Sequence, residues 1–153
     1  MENKIGFDGF AQICLVVENI EEVAKKWADI FGVPVPEVEI HGSEPIPSDK
    51  LTYRQKPADY KIKFVCIEAG GFVVELTEPI EGESTFKEFL ESRGPGVHHL
   101  GFQVGGRRDA IVNELEQEKG YDLRTVGYYP GSSWTVIDTE QDLGVNLNIK
   151  PVA

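Results

Sequence analysis

The chain has 153 residues and a formal net charge of -11, with 41% hydrophobic and 27% charged residues. That length suits one compact domain with a sizeable core, and the negative charge repels a phosphate backbone, which argues against nucleic acid as a partner. No apolar run approaches the roughly 20 residues of a membrane helix, and Met1 to Lys4 lacks the charged-then-apolar layout of a signal peptide, so the cytoplasm is the expected location.

Phe10 to Val17 is an apolar run of strand length. Asn19 then suits a helix N-cap, with Glu22 at capping-box spacing. Ile20, Val23, Ala24, Trp27 and Ile30 recur at helical intervals, and Gly32 can end the helix. Pro34, Pro36, Pro45 and Pro47 make residues 33–49 a loop with at most a short extended piece at 37–40. Leu51 to Gln55 reads as an edge strand. Lys61 to Glu68 and Phe72 to Glu78 read as strands joined by a tight turn at Ala69-Gly70-Gly71. Ser84 caps a short helix with Phe86, Phe89 and Leu90 on one face, and Gly94-Pro95-Gly96 breaks it. The order then begins again. Val97 to Val104 is a strand and Arg108 to Lys119 a helix closed by Gly120. Tyr128 to Trp134 reads as a loop, and Trp134 to Asp138 and Gly144 to Ile149 as the last strands.

Element order thus recurs with a period of roughly 80 residues, as modules at 7–80 and 97–150 joined by a helical linker at 81–96. Neither half can bury a sheet face alone, so the two must pack together. A chance recurrence of element order in an α+β chain is the competing reading. Cys14 and Cys66 each sit in an apolar run and are expected to be buried free thiols rather than a disulfide.

Side chains alternate faces along a strand. Gln12 shares a face with Cys14 and Val16, His99 with Gly101 and Gln103, Glu75 with Val73 and Thr77, and Asn148 with Asn146. If the halves meet about a pseudo-twofold axis, Gln12, Glu75, His99 and Asn148 converge on one concave face. Such a set can bind a divalent cation through N and O atoms with open positions left for a substrate. The plainer reading is a wetter sheet face whose amides only hydrogen-bond.

The letters then become informative. Phe10-Ala11-Gln12-Ile13 running into Val16-Val17-Glu18-Asn19-Ile20, and Val73-Val74-Glu75-Leu76-Thr77-Glu78-Pro79-Ile80, resemble vicinal-oxygen-chelate (glyoxalase/bleomycin-resistance/dioxygenase) proteins. Gly94-Pro95-Gly96-Val97-His98-His99-Leu100-Gly101-Phe102 is similar to the double-histidine strand of methylmalonyl-CoA epimerases. Asp138 to Val145 resembles the turn before that family's last strand. The resemblance implies two tandem βαβββ modules forming a curved, cupped mixed sheet with helices outside.

It also places Gln12, Glu75, His99 and Asn148 on the family's four metal-ligand positions, and implies a divalent ion (Co, Ni, Mn, Mg or Zn). Two positions depart from the epimerase pattern. Gln12 stands where a His is usual, and Asn148 where a Glu serves as ligand and base; Thr52 aligns with the other catalytic carboxylate. Neither Asn nor Thr is a general base at neutral pH. Glu75, acting off the metal, and Glu44 of the loop are the remaining catalytic candidates. Thr52, Gln103, Tyr129, Ser132, Trp134 and Asn146 are candidate substrate contacts.

His98 is expected to face the other side of its strand, and His41 to be a solvated loop residue. Arg54, Lys56, Lys61 and Lys63 would meet a CoA phosphate or guard a sheet edge. The expected function is an epimerase- or lyase-like enzyme acting on a small carbonyl or acyl-CoA thioester through an enolate-like state. The alternative is a metal-free binding module of the same fold. A homodimer is implied by resemblance only.

Overall fold

In a computed structural model, which describes residues 3–42, 50–129 and 131–152, the apolar run Phe10–Val16 forms β1 in the middle of a ten-stranded sheet. The first half continues with α1 (Ile20–Phe31), β2 (Glu39–His41), β3 (Thr52–Tyr53), β4 (Lys56–Pro57), β5 (Lys61–Glu68) and β6 (Val73–Glu81). After α2 (Thr85–Arg93) come β7 (Gly96–Gln103), α3 (Arg108–Asn113), β8 (Leu123–Tyr129), β9 (Ser132–Ile137), α4 (Glu140–Leu143) and β10 (Asn146–Lys150). A π-helical turn, Glu114–Glu118, extends α3.

The strands lie in the order β2-β5-β6-β1-β7-β10-β9-β8-β3-β4. β1 runs parallel to β6 and β7 parallel to β10, and the two sets join through the antiparallel pair β1 and β7. The result is a curled mixed sheet with helices, the expected α+β architecture. α1 covers the outer face through Ile20 and Ala24 against Val65, Val74 and Leu76. α3 does the same through Ile111 and Val112 against Ile137, Leu147 and Ile149. α2 instead lays Phe86 and Phe89 against Cys14 and Val16 on the inner face. Among the described residues no helix is long and apolar enough to cross a membrane.

Local chemistry explains the boundaries. The Asn19 side chain accepts from Glu22 N–H, and Glu78 of β6 caps the same helix end by accepting from Ile20 N–H at 2.9 Å. α1 ends at Gly32 in a left-handed conformation, φ 69°.

Two sequence expectations need correction. Tyr128 to Trp134 is not a loop throughout: Tyr128 pairs with Ser133 in a β8–β9 hairpin. An Arg and a Gly inside β8 hide the strand pattern. Gly127 is required there, because a Cβ would overlap the Trp134 indole, which lies across it. Cys66 is a free thiol as expected, but it is exposed rather than buried; only Cys14 is buried.

The edge strand read at Leu51 to Gln55 is a small hairpin, β3–β4, that pairs with β8 rather than with its neighbour in sequence. Its turn residues Arg54 and Gln55 both have positive φ, 54° and 68°. That geometry favours Asn-Gly, and here the ion pairs of Arg54 to Glu88 and Asp138 hold it in place.

Candidate functional site

Cross-strand register brings Cys66 on β5, Glu75 on β6, Cys14 on β1 and His99 on β7 into one row across the sheet. Gln12 and Asn148 occupy the next row, each opposite Gly101. The missing side chain at Gly101 is what lets them meet: Asn148 Nδ2 lies 3.4 Å from Gln12 Oε1 directly above it. A Cβ at residue 101 would stand 2.6 Å from Gln12 Oε1 and 2.9 Å from Gln12 Cβ. Gly101→Ala is therefore expected to evict the Gln12 side chain and cost about 1–3 kcal/mol of stability, read by urea denaturation. An unchanged midpoint would show that Gln12 has room to retreat.

The alternating-face rule fails at one point. Cys14 pairs with His99, but the next residue, Leu15, pairs with Val97. This β-bulge leaves His98 unpaired. Its ring is buried beside that of His99, with centroids 5.1 Å apart, rather than turned to the opposite face. The ring of Phe86 touches both.

Hydrogen bonds fix the polarity of the cluster. Asn148 Oδ1 accepts from the backbone N–H of Thr135 at 3.0 Å, so its amide nitrogen points inward, toward Gln12 Oε1 and toward His99 Nε2 at 3.5 Å. Gln12 Nε2 then donates to Glu75 Oε1 at 2.7 Å. With Nε2 facing a donor, His99 carries its proton on Nδ1 and gives it to His98 Nδ1 at 2.8 Å. His98 in turn donates from Nε2 to Thr85 Oγ1 at 3.0 Å, and Thr85 also accepts from buried Arg124. Both arms end in lone pairs facing the same space, those of Glu75 and of His99 Nε2.

Burial sets the electrostatics. It pushes the Glu75 carboxyl above its ordinary range, against the pull of Lys150 and of hydrogen bonds from Cys14 and Gln12. It pushes His99 down to about 3, with Lys150 adding to the effect. The Cys14 thiol is raised by burial and by the nearby Glu75. Cys66, exposed but partly desolvated on the cleft lining, is pushed up to about 12 by that desolvation and by Glu75.

The cluster's Gln12, Glu75, His99 and Asn148 line a cleft of about 440 Å³, together with Phe64, Val73, Phe86 and Trp134. Of the residues expected from the sequence, Gln12, Glu75, His99, Asn148, Gln103 and Trp134 line it. Thr52, Ser132 and Asn146 are not among its lining residues. The Thr52 hydroxyl accepts from Val126 N–H, Ser132 donates to Val152 O, and Asn146 is buried and donates to His98 O. The Tyr129 side chain and Glu44 lie outside the described residues.

His41 is not a solvated loop residue. It sits on β2, lines the cleft and meets the Trp134 ring edge-on at 4.7 Å, and burial lowers its pKa. Three of the four basic residues near the edges are engaged: Arg54 with Glu88 and Asp138, Lys61 with Glu81, and Lys63 with Glu21; Lys56 is exposed on the edge strand β4.

Cys14 is the residue that sequence reasoning passed over. Its Sγ, a Glu75 oxygen and a His99 ring nitrogen all lie within 4.8 Å of one another. The signal was present in its place two residues from Gln12 on the same strand face.

A curled mixed sheet with helices and a cleft on its inner face is the architecture of glyoxalase-like proteins. The chain belongs to the Glyoxalase/Bleomycin resistance protein/Dioxygenase superfamily, whose family model matches residues 11–137. Methylmalonyl-CoA epimerase from Mycobacterium tuberculosis superposes with a TM-score of 0.59 at 19% identity, covering 95% of this chain and 88% of that one. A methylmalonyl-CoA epimerase in complex with methylmalonyl-CoA and NH4+ gives 0.63 at 19% identity, covering 95% and 94%. A variant of the Streptomyces coelicolor epimerase in complex with 2-nitronate-propionyl-CoA gives 0.62 at 18% identity, covering 95% and 94%. At these identities the likeness is one of fold. The uncharacterized protein YqjC of Bacillus subtilis (strain 168) is 32% identical over 50 residues, which span 33% of this chain and 36% of that protein.

Proposed function

We propose that this protein catalyses proton transfer at the carbon beside the carbonyl of a small substrate, as an epimerase- or lyase-like member of its superfamily. An acyl-CoA thioester is the first class to test. The observation that carries the reading is the placement of Glu75. It is the one carboxylate among the described residues of the cleft lining, oriented by Gln12, in an otherwise largely apolar cleft. A base poised nearer neutral pH transfers protons more effectively than an ordinary carboxylate, and burial moves Glu75 in that direction.

In this reading Glu75 removes the proton and returns it. The inward N–H of Asn148 faces the oxygen on which negative charge develops. Phe86 and Trp134 exclude water from the acyl group. A divalent ion bound beside Glu75 and His99 would supply further polarisation of the carbonyl. The substrate classes bound by the superposed epimerases, methylmalonyl-CoA among them, support the choice of a thioester.

The test is solvent deuterium uptake at the α-carbon of methylmalonyl-CoA and of shorter acyl-CoA thioesters. Because one carboxylate serves, deuterium should enter faster than the stereocentre inverts. Glu75→Gln is expected to lower the uptake by about 100-fold or more. Uptake that persists in Glu75→Gln, or that is absent from the parent with every thioester and 2-oxo acid tried, leaves a binding module as the better account.

A further inference from the structure

We propose that a thiophilic divalent ion, zinc or cobalt, binds where Cys14, buried behind the cleft lining, meets Glu75 and His99 of the cleft, with the thiolate taking the place of both amides as ligand. The inference rests on the cleft being the functional site and on Glu75 serving as a proton carrier that can leave the ion.

The amides present the wrong atoms. An amide binds a cation only through its oxygen. Asn148 Oδ1 is turned outward to the Thr135 N–H, and the inward atom is Nδ2. The oxygen of Gln12 faces that same Nδ2, and its nitrogen is bonded to Glu75. Reversing Asn148 would leave the Thr135 N–H facing another donor inside the protein.

Cys14 has the opposite properties. Its Sγ shares a space with Glu75 and His99 in which all three donor atoms lie within 4.8 Å of one another. A tetrahedral ion with sulfur at about 2.3 Å and nitrogen and oxygen at about 2.0–2.2 Å asks these atoms to close by only about 1 Å. Three protein ligands with a fourth position open is the layout of catalytic zinc.

Charge points the same way. Glu75, His99 and two amides would leave a dication with one net positive charge uncompensated deep in the protein. When the ion binds, it displaces the Cys14 proton to solvent, and the resulting thiolate together with Glu75 neutralises the dication. A thiolate also selects zinc or cobalt over magnesium or manganese. The support behind the ligands is built: His99 gives its other ring N–H to His98, which is held by Thr85, and Cys14 Sγ lies 3.5 Å from Thr77 Oγ1. With Cys14 and His99 as fixed anchors, Glu75 is free to exchange between ion and substrate.

The test uses the full chain without a histidine tag, stripped by chelator and titrated with Co²⁺. A near-ultraviolet sulfur-to-cobalt charge-transfer band is expected, saturating at one ion per chain. X-ray absorption of the zinc form should show one sulfur neighbour at about 2.3 Å. Cys14→Ser should lose the band and bind zinc roughly tenfold or more weakly, while Cys66→Ser should keep both. Should Cys14→Ser fail to fold, the parent and Cys66→Ser spectra decide.

Cobalt binding without the band, a band lost with Cys66→Ser, or no binding at all would overturn the inference. Deuterium uptake measured on the same samples separates the two proposals. Uptake without the band defeats the thiolate site alone, and a band without uptake defeats the proton-transfer reading alone.

Discussion

Arg124→Leu is expected to lower the stability of the folded chain by about 3–5 kcal/mol, the cost of leaving buried charge unpaired. Arg124 lies on β8 and is only 5% exposed. One arm of its guanidinium reaches Glu88 at 3.2 Å and Thr85 at 3.3 Å. The other arm reaches Asp138 at 3.0 Å and makes a short ion pair with Glu140. Arg54 shares Glu88 and Asp138, and Arg93 shares Glu140 at 2.7 Å, so three carboxylates meet three guanidiniums.

Removing the central cation leaves Glu140, whose side chain is 8% exposed, paired only with Arg93. It also frees the hydroxyl that anchors His98. Arg124→Lys keeps the charge without the two-armed geometry and should recover only part of the loss. Urea denaturation at neutral pH measures both. A loss below about 1 kcal/mol, the range of an exposed pair, would mean that the network has rearranged around the gap.

The residues that place the fold in its family speak through local rules, and those rules worked where neighbours in sequence are neighbours in space. The Asn19 cap, the Gly32 stop and the repeated strand–helix order follow from spacing. So does the gathering of Gln12, Glu75, His99 and Asn148, because period-two alternation holds along β1, β6 and β10. The failures share a cause in long-range geometry. β8 carries Arg124 toward a buried ion network and Gly127 beneath a tryptophan, and neither looks like a strand residue without its partner. A bulge turned His98 beside His99, and bulges have no letter of their own. The polarity of the amides was illegible for a different reason: Asn148 is oriented by the Thr135 N–H, a backbone group on the adjacent strand. Asn148 therefore offers nitrogen, not oxygen, to the site, which leaves Cys14 as the soft donor beside Glu75 and His99.

The imidazole pair should make the metal-free protein acid-labile well above the pH at which carboxylates titrate. Burial holds His99 down to about 3 with help from Lys150, and burial, the neighbouring His99 and Arg124 hold His98 well below its ordinary 6.5. A histidine with a depressed native pKa is protonated first in the unfolded chain, so stability is fully present above about 6.5 and drains away as the pH falls toward the native value. At about 1.4 kcal/mol per unit, His99 alone accounts for roughly 3 kcal/mol by pH 4.

The cause is visible in the contacts. A proton on His99 Nε2 would face the Asn148 N–H, and a proton on His98 would break the only acceptor that His99 has for its own. Glu88 works in the same direction at lower pH. Its burial favours the protonated form, but Arg54, Tyr53 and Arg124 outweigh it and hold the carboxyl below its usual value. Glu75 opposes the trend, since its raised pKa means that acid relieves a buried charge.

Urea denaturation between about pH 7 and pH 4 should show a midpoint that holds above about pH 6.5 and falls below it. A Glu75→Gln variant, lacking the offset, should fall more steeply. Ring-proton NMR supplies the decisive reading: His99 should not titrate in the folded protein above about pH 4, and His98 should titrate well below the ordinary imidazole range. A ring with a midpoint near 6.5 would mean that water reaches the pair, and that the lone pair assigned to His99 Nε2 is not reserved for an ion.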